Sequence, residues 1–286
     1  MEASEPRRLL LVSQRPIDYG GGGSVRWEFL RRVLPGHGWE VHTITARPNP
    51  TANEASTSAG SARLAAARAR VMGAAGTVLG PVTRRVAGVQ PEALAPNGLW
   101  ALSGRGAIRR ALDEVRPDVV WATCPPVSAL FAAAAVLRNR REPLVGEFRD
   151  LWAGNPYFDA GGGVLTALEA RAVARCGAVV SVTDGCVARL AEIHPELPTR
   201  LKLLPNGFDP ELLTRRTAAA PIHDRGRSTL VHAGSLYGDR TAVALLRALS
   251  SPELATRIRL ELVGTVDPAS AAAIAVPGET RRTIAQ

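Results

Sequence analysis

The chain has 286 residues, 46% of them hydrophobic and 21% charged, with a formal net charge of +9. That length suits about two domains, and no apolar run is long enough to span a bilayer, which excludes a membrane-spanning class. The three cysteines, Cys124, Cys176 and Cys186, lack close-paired spacing, which excludes a disulfide framework and a clustered-cysteine metal site. The basic residues are nearly all arginine, Lys202 being the only lysine, and with the many alanines this points to a high-GC bacterial source. Positive charge calls for anionic partners without choosing among nucleic acid, anionic lipid and phosphorylated substrates. The arginines are not interleaved with aromatics as a base-stacking surface needs, so nucleic acid is not expected as a partner. The start, Met1–Arg8, has no basic stretch followed by a long apolar one, so no secretory signal is read and a reducing cytoplasm is expected.

Arg8–Ser13 is a continuous apolar run of the kind buried in a parallel sheet. Four glycines follow, Gly20, Gly21, Gly22 and Gly23, and Ser24 is placed to cap a helix through Val25, Phe29, Leu30 and Val33. A strand, a glycine-rich loop and a helix start present free amides and a positive dipole end to an anion. The run is neither a dinucleotide fingerprint nor a phosphate loop with Gly-Lys-Ser/Thr, and a plain surface loop is the competing reading. Gly38–Thr45 is the second strand. Residues 47–98 break the rhythm: a polar loop leads into a basic helical stretch, 63–85, with no acid between Glu54 and Glu92. Such a stretch either packs on its own domain or lies on an anionic membrane surface.

The rhythm returns with a helix over Ala107–Val115, a strand entered through Arg116-Pro117-Asp118, a helix over Val127–Leu137 and a strand over Pro143–Phe148. Arg149-Asp150-Leu151-Trp152 stands just past the end of that strand, where open parallel sheets bind ligands. An adjacent Arg and Asp there either pair with each other or combine an anion contact with an acid-base group. A helix over Val164–Arg175, a strand over Ala178–Thr183, a helix capped by Asp184 and a strand ending at Leu204 complete about six repeats. That pattern argues for a doubly wound parallel sheet. Pro205-Asn206-Gly207-Phe208-Asp209 then forces a turn, proline ending the ladder and Asn-Gly readily taking positive φ. After a polar linker, Ser228–Ala233 is a new strand. Gly234, Ser235 and Arg240 lie between it and a helix over Thr241–Leu249, and Arg257–Val263 is a strand ending at Gly264. Arg240 has a guanidinium fork suited to phosphate oxygens, at a helix start where its charge opposes the dipole.

These motifs in this order resemble glycosyltransferase family 4. Pro205-Asn206-Gly207-Phe208-Asp209 is similar to the linker that joins its two Rossmann-like domains, and Gly38-Trp39-Glu40-Val41 to the segment after its first helix. Glu147-Phe148-Arg149-Asp150-Leu151-Trp152 resembles the Asp-x-Arg-Asp-Leu-Trp motif of a subgroup that builds amino-sugar-containing surface polysaccharides, with Glu147 in place of the first Asp and Ala153 in place of proline. The fold implied is α/β, GT-B-like: an acceptor-side domain over 1–204 with a basic insertion at 47–98, a hinge and linker over 205–227 with Asn206 and Gly207 at its centre, and a partial nucleotide-sugar-binding domain over 228–286. The resemblance implies Gly234, Ser235, Arg240 and Gly264 at the donor diphosphate, Gly20–Gly23 at the acceptor cleft, and Arg149 and Asp150 at the reacting centre.

The implied activity moves a sugar from a nucleotide-sugar donor to a glycan or lipid-linked acceptor in surface polysaccharide or glycolipid synthesis. It would retain configuration, and no cofactor or metal is expected; the chain has no Asp-x-Asp. A cytoplasmic enzyme is expected, peripheral on the inner face of the membrane if 63–85 lies there. The base-binding strands and the spaced pair of glutamates found further along in this family have no counterpart before Gln286, so a truncated second domain with an open sheet edge is expected. Two alternatives stay open: an inactive homologue acting as a binding or partner chain, and a sugar-nucleotide 2-epimerase of the same architecture.

Overall fold

The computed structural model describes residues 5–15, 22–45, 100–155, 164–211, 228–236, 241–249, 251–264 and 283–284. The basic stretch 63–85, Gly20, Gly21 and Arg240 lie outside them, as does most of the polar linker. The chain divides into two compact units, Met1–Asp209 and Pro210–Gln286.

The first strand, β1 (Arg7–Val12), is buried continuously from Leu9 to Val12, because helices cover both faces of the sheet it joins. In chain order follow α1 (Gly22–Val33), a short 3-10 turn (Leu34–His37), β2 (Trp39–Ile44), α2 (Arg105–Val115), β3 (Val119–Cys124) and α3 (Ser128–Leu137). Then come β4 (Leu144–Phe148), α4 (Val164–Ala174), β5 (Ala178–Ser181), α5 (Asp184–Ile193) and β6 (Leu201–Leu203). The six described strands form one parallel sheet in the order β2-β1-β3-β4-β5-β6.

That order sets the layers. The chain steps one way from β1 to β2 and the other way from β3 through β6. Right-handed crossovers therefore send α1 to one face and α3, α4 and α5 to the other. The strands alternate accordingly. Leu10, Val12, Val120, Ala122, Leu144, Phe148 and Val179 join the large core under α2, α3 and α4. Leu9 and Leu11 face the other way and meet Trp27 and Leu30 of α1, with Val119 and Trp121 beside them. The alanines of α3, Ala129, Ala132 and Ala133, are fully buried, so the helix lies close on the sheet.

Three local expectations are corrected. The helix after the glycine run starts at Gly22, two residues before Ser24, so Gly22 and Gly23 form its first turn. Packing of Arg26 and Trp27, both buried, offsets the poor helical propensity of glycine there. The cap of α5 is Thr183, whose hydroxyl accepts from the Cys186 amide at 3.2 Å, while Asp184 lies in the first turn and complements the dipole. At 205–209 neither Asn206 nor Gly207 has positive φ, so the bend is not an Asn-Gly turn. Side-chain contacts described below hold it instead.

The second unit has β7 (Ser228–Ala233), α6 (Val243–Leu249), α7 (Pro252–Arg257), β8 (Ile258–Val263) and β9 (Thr283–Ile284). Its described strands are parallel in the order β7-β8-β9. The short helix α7 was not expected, and neither was β9; Ser251 caps α7 by accepting from the Leu254 amide at 3.3 Å, and Pro252 opens it. Leu236 and Ala242 pack with Leu246 and Leu262. On β7, Leu230 and Val231 are exposed. No helix of the described residues is long and apolar enough to cross a membrane.

Two of the thiols lie in the core of the first unit. Burial pushes the Cys176 thiol up to about 12, and burial followed by the Glu169 carboxylate pushes Cys124 well above the usual thiol range. Both stay protonated and inaccessible in the native chain, whereas Cys186 is only half-buried. A disulfide exchange reagent at pH 8 should therefore titrate one thiol in the folded chain and three in denaturant. A raised folded-state value means stability is intact below the unfolded thiol range and lost as pH rises. Denaturation midpoints should fall between pH 9 and about pH 12, and less steeply in Cys176→Ala.

Candidate functional site

In an open parallel sheet, the loops after neighbouring strands part where the winding reverses, leaving a crevice at the carboxyl ends. Here that point lies between β1 and β3. The loop after β1 reaches across it, Gln14 Oε1 accepting a hydrogen bond from the Ser128 hydroxyl at the start of α3. Arg149, just past β4, is tied to the loop after β3: its amide donates to Cys124 O at 2.9 Å and its Nη2 to Pro125 O at 2.8 Å. Its Nε is buried without a hydrogen-bond partner. Asp150 beside it is exposed, and its carboxylate makes no ion pair with Arg149 or any other described residue. The two side chains are thus not a closed local pair. One is fastened to the sheet edge and the other faces solvent.

Beneath this edge lies a buried carboxylate. Glu147 is fully buried on β4, on the face that α1 covers. Leaving such a charge unpaired costs several kcal/mol, so its surroundings must supply positive charge and donors. They do so from two elements. The indole N–H groups of Trp27 and Trp121 donate to its Oε2 at 2.9 and 3.2 Å, and the two rings meet edge to face with centroids 5.4 Å apart. Arg26 Nε lies 3.0 Å from Oε1, a close ion pair although out of line for a hydrogen bond.

The same guanidinium then turns outward. Arg26 Nη1 donates to Leu204 O at 2.9 Å, Pro205 O at 3.1 Å and Asn206 Oδ1 at 3.2 Å. Asn206 is therefore held from α1, while Gly207 has open space around it. Six residues along α1, Arg32 pairs with Asp209.

The loop after Asp150 is anchored from the other side. Glu169 on α4 accepts from the Ala153 amide at 3.0 Å with one oxygen and meets His194 Nε2 at 2.7 Å with the other, both side chains being buried. Trp152 stacks edge to face on Phe131, centroids 5.2 Å apart, and Asn155 Nδ2 donates to Leu151 O at 2.7 Å. Arg149 and Asp150 thus sit between two buried carboxylates, Glu147 before them and Glu169 behind.

In the second unit, Gly234 and Gly264 end the adjacent strands β7 and β8, with φ of +147° and +141°. Gly234 N donates to Val263 O at 2.8 Å, and a Cβ on Gly264 would lie 2.2 Å from Gly234 O. Two glycine tips are packed backbone to backbone at the carboxyl edge of this sheet, with Ser235 exposed just beyond. Thr241 Oγ1 accepts from the Val243 amide at 3.2 Å at the start of α6. Among the described residues no group of three or more His, Cys, Asp or Glu is placed to hold a metal ion.

Of the expected site residues, the structure brings Gly234 to Gly264 and ties Arg149 to the β3 loop. It puts Gly22 and Gly23 into α1 and links Asn206 to Arg26. Sequence reasoning missed Arg26, Trp27, Trp121, Gln14, Ser128 and the Glu169–His194 pair. One signal for the first three was available: a glutamate inside a strand otherwise buried on both faces requires a cation and donors from elsewhere.

A family model, Glycosyltransferase Family 4, matches residues 20–212. Comparison with curated proteins gives no match. Among solved structures, the sucrose-phosphate synthase from Thermosynechococcus elongatus is 12% identical with a TM-score of 0.58, covering 93% of this chain and 65% of its own. WaaG, a glycosyltransferase involved in lipopolysaccharide biosynthesis, is 14% identical with a TM-score of 0.50, covering 94% of this chain and 66% of its own. The UDP-GlcNAc 2-epimerase from Neisseria meningitidis, solved bound to UDP-GlcNAc, is 10% identical with a TM-score of 0.50, covering 94% and 68%. These likenesses establish the GT-B, Rossmann-like fold, and this chain spans about two thirds of the length of the structures it matches.

Removing one partner of the Glu147–Arg26 pair should be costly. Glu147→Ala and Arg26→Ala are each expected to lower unfolding free energy by about 3–5 kcal/mol, read from denaturant midpoints, whereas alanine at exposed Asp150 should change it by less than about 0.5 kcal/mol. In the second unit Gly264→Ala combines a disfavoured φ with a backbone clash. It should cost about 2 kcal/mol or more. Hydrogen exchange should show protection lost in peptides from 228–236 and 251–264 and kept in those from 119–148.

Proposed function

The chain belongs to glycosyltransferase family 4, and on that premise we propose that it transfers a sugar from a nucleotide-sugar donor to a glycan or lipid-linked acceptor. The observation that carries this reading is an anchored Arg149 standing next to an exposed Asp150 at the carboxyl edge of the first sheet, near its switch point. This is where acceptor chemistry belongs in such a fold. Asp150, exposed and without an ion-pair partner among the described residues, positions the acceptor hydroxyl or takes its proton. Arg149 contributes charge to the reacting centre.

Donor binding is assigned to the second unit. The tips at Gly234 and Gly264 leave backbone free of side chains where a diphosphate approaches, and Ser235 and Arg240 supply a hydroxyl and a guanidinium fork. The leaving diphosphate is stabilised by these donors, with retention at the sugar carbon and no metal taking part. Gly20–Gly23 are assigned to acceptor binding. The basic stretch 63–85 is assigned to an anionic membrane surface, which puts the reaction at the cytoplasmic face where lipid-linked acceptors are presented. Surface polysaccharide or glycolipid synthesis is the setting we assign.

Calorimetric titration with a panel of nucleotide diphosphates and nucleotide sugars tests the donor side. Micromolar binding is expected, weakened about 10- to 100-fold in Arg240→Ala by loss of a charge-assisted contact. A folded chain that binds none of them overturns the reading. On the acceptor side, Asp150→Asn should lower kcat about 100-fold or more while leaving donor affinity unchanged.

A further inference from the structure

The contacts of α1 divide into an inward set and an outward set that share one guanidinium. Inward, Glu147, held by two indole N–H groups, sets the orientation of Arg26 through the 3.0 Å ion pair. Outward, Arg26 Nη1 gathers three acceptors from consecutive residues, Leu204 O, Pro205 O and Asn206 Oδ1. The chain there has just left β6, a strand of three residues, and the Leu204 amide makes the last sheet-like bond, to Ser181 O at 2.8 Å. Beyond it, Pro205 has no N–H, and Asn206 and Gly207 lack the positive φ of a self-supporting turn. The segment is exposed and Phe208 is 67% exposed, so packing does not hold it either. What holds it is α1, at 204–206 through Arg26 and at Asp209 through Arg32.

We propose that Arg26 is a positioning residue for the linker: anchored on Glu147, it fixes the course of residues 204–206 as the chain leaves the first unit, with Arg32–Asp209 as a second, more exposed grip. The carboxylate that opens the Glu147-Phe148-Arg149-Asp150 segment is thereby also the foundation of the linker. Strand β4 orients Arg149 and Asp150 at its end and, through Glu147 and Arg26, the exit of the chain.

The test uses the full chain and needs no ligand, so it stands or falls separately from sugar transfer. In a Cys186→Ser background, a nitroxide is attached at position 208 through Phe208→Cys. Its mobility is read by electron paramagnetic resonance beside the thermal midpoint. Arg26→Lys keeps a charge for Glu147 and removes the fork. Asn206→Ala removes one acceptor from an exposed residue and leaves the core intact. The expected result is a label whose rotational correlation time shortens about twofold or more in Arg26→Lys at an unchanged midpoint, or in Asn206→Ala. A label unaltered in both variants, or released only together with a fallen midpoint, overturns the proposal.

Discussion

Burial of one carboxylate on β4 imposes most of the polar architecture of the first unit. Glu147 lies on a strand with no access to water, so its charge must be met by groups the protein brings to it. Meeting it requires α1 to lie at one height and rotation on the sheet, because Trp27 and Arg26 reach Glu147 together only in that setting. Trp121, on the neighbouring strand, contributes the second indole and closes the apolar side. A purely hydrophobic contact between α1 and the sheet would tolerate sliding; an ion pair with two directed donors does not. The position of the helix thus follows from electrostatics as much as from Leu9, Leu11 and Leu30.

From that one anchorage the segment after β4 inherits its place. Phe148 fills the core on the opposite face, and the next two residues emerge at the sheet edge. Arg149 is bound back to the β3 loop, and the Glu169–His194 pair with the Ala153 amide stops the chain from relaxing beyond Trp152. The family match and the solved structures establish membership and fold. The side-chain geometry explains how Arg149 is tied down while Asp150 beside it stays exposed.

The second unit meets a related demand by different means. At the ends of β7 and β8 the described residues include no buried charge, and two glycines lie so close that a methyl group on Gly264 would overlap the Gly234 carbonyl. Omitting side chains there leaves peptide groups accessible at the carboxyl edge of a parallel sheet. The first unit builds its edge by pairing charges underneath, the second by leaving atoms out.

The strand and helix succession from Arg7 to Leu203 was legible in the sequence, because continuous apolar runs alternating with helical periodicity leave a parallel α/β sheet as the arrangement that buries them. The position of Arg149-Asp150 just past the end of a buried strand was legible for the same reason, since it follows from the pattern itself. The linker was legible as a break, since proline ends a ladder wherever it stands. Its mechanism was not: Asn206-Gly207 carries the composition of a self-made turn, yet the bend is held by an arginine about 180 residues earlier. Likewise Glu147 announces that a cation must come to it, but Arg26, Arg31 and Arg32 on one helix are equal candidates until the rotation of α1 is known. The helix start at Gly22 departs from the expected cap because packing of Arg26 and Trp27 outweighs local propensity, and that at Asp184 because the adjacent Thr183 hydroxyl takes the cap. Local pattern and backbone chemistry determine which segments form and where they end. Which distant side chains meet was decided only by the fold, because partners for a buried charge are chosen by geometry across elements and leave no periodic trace in the chain.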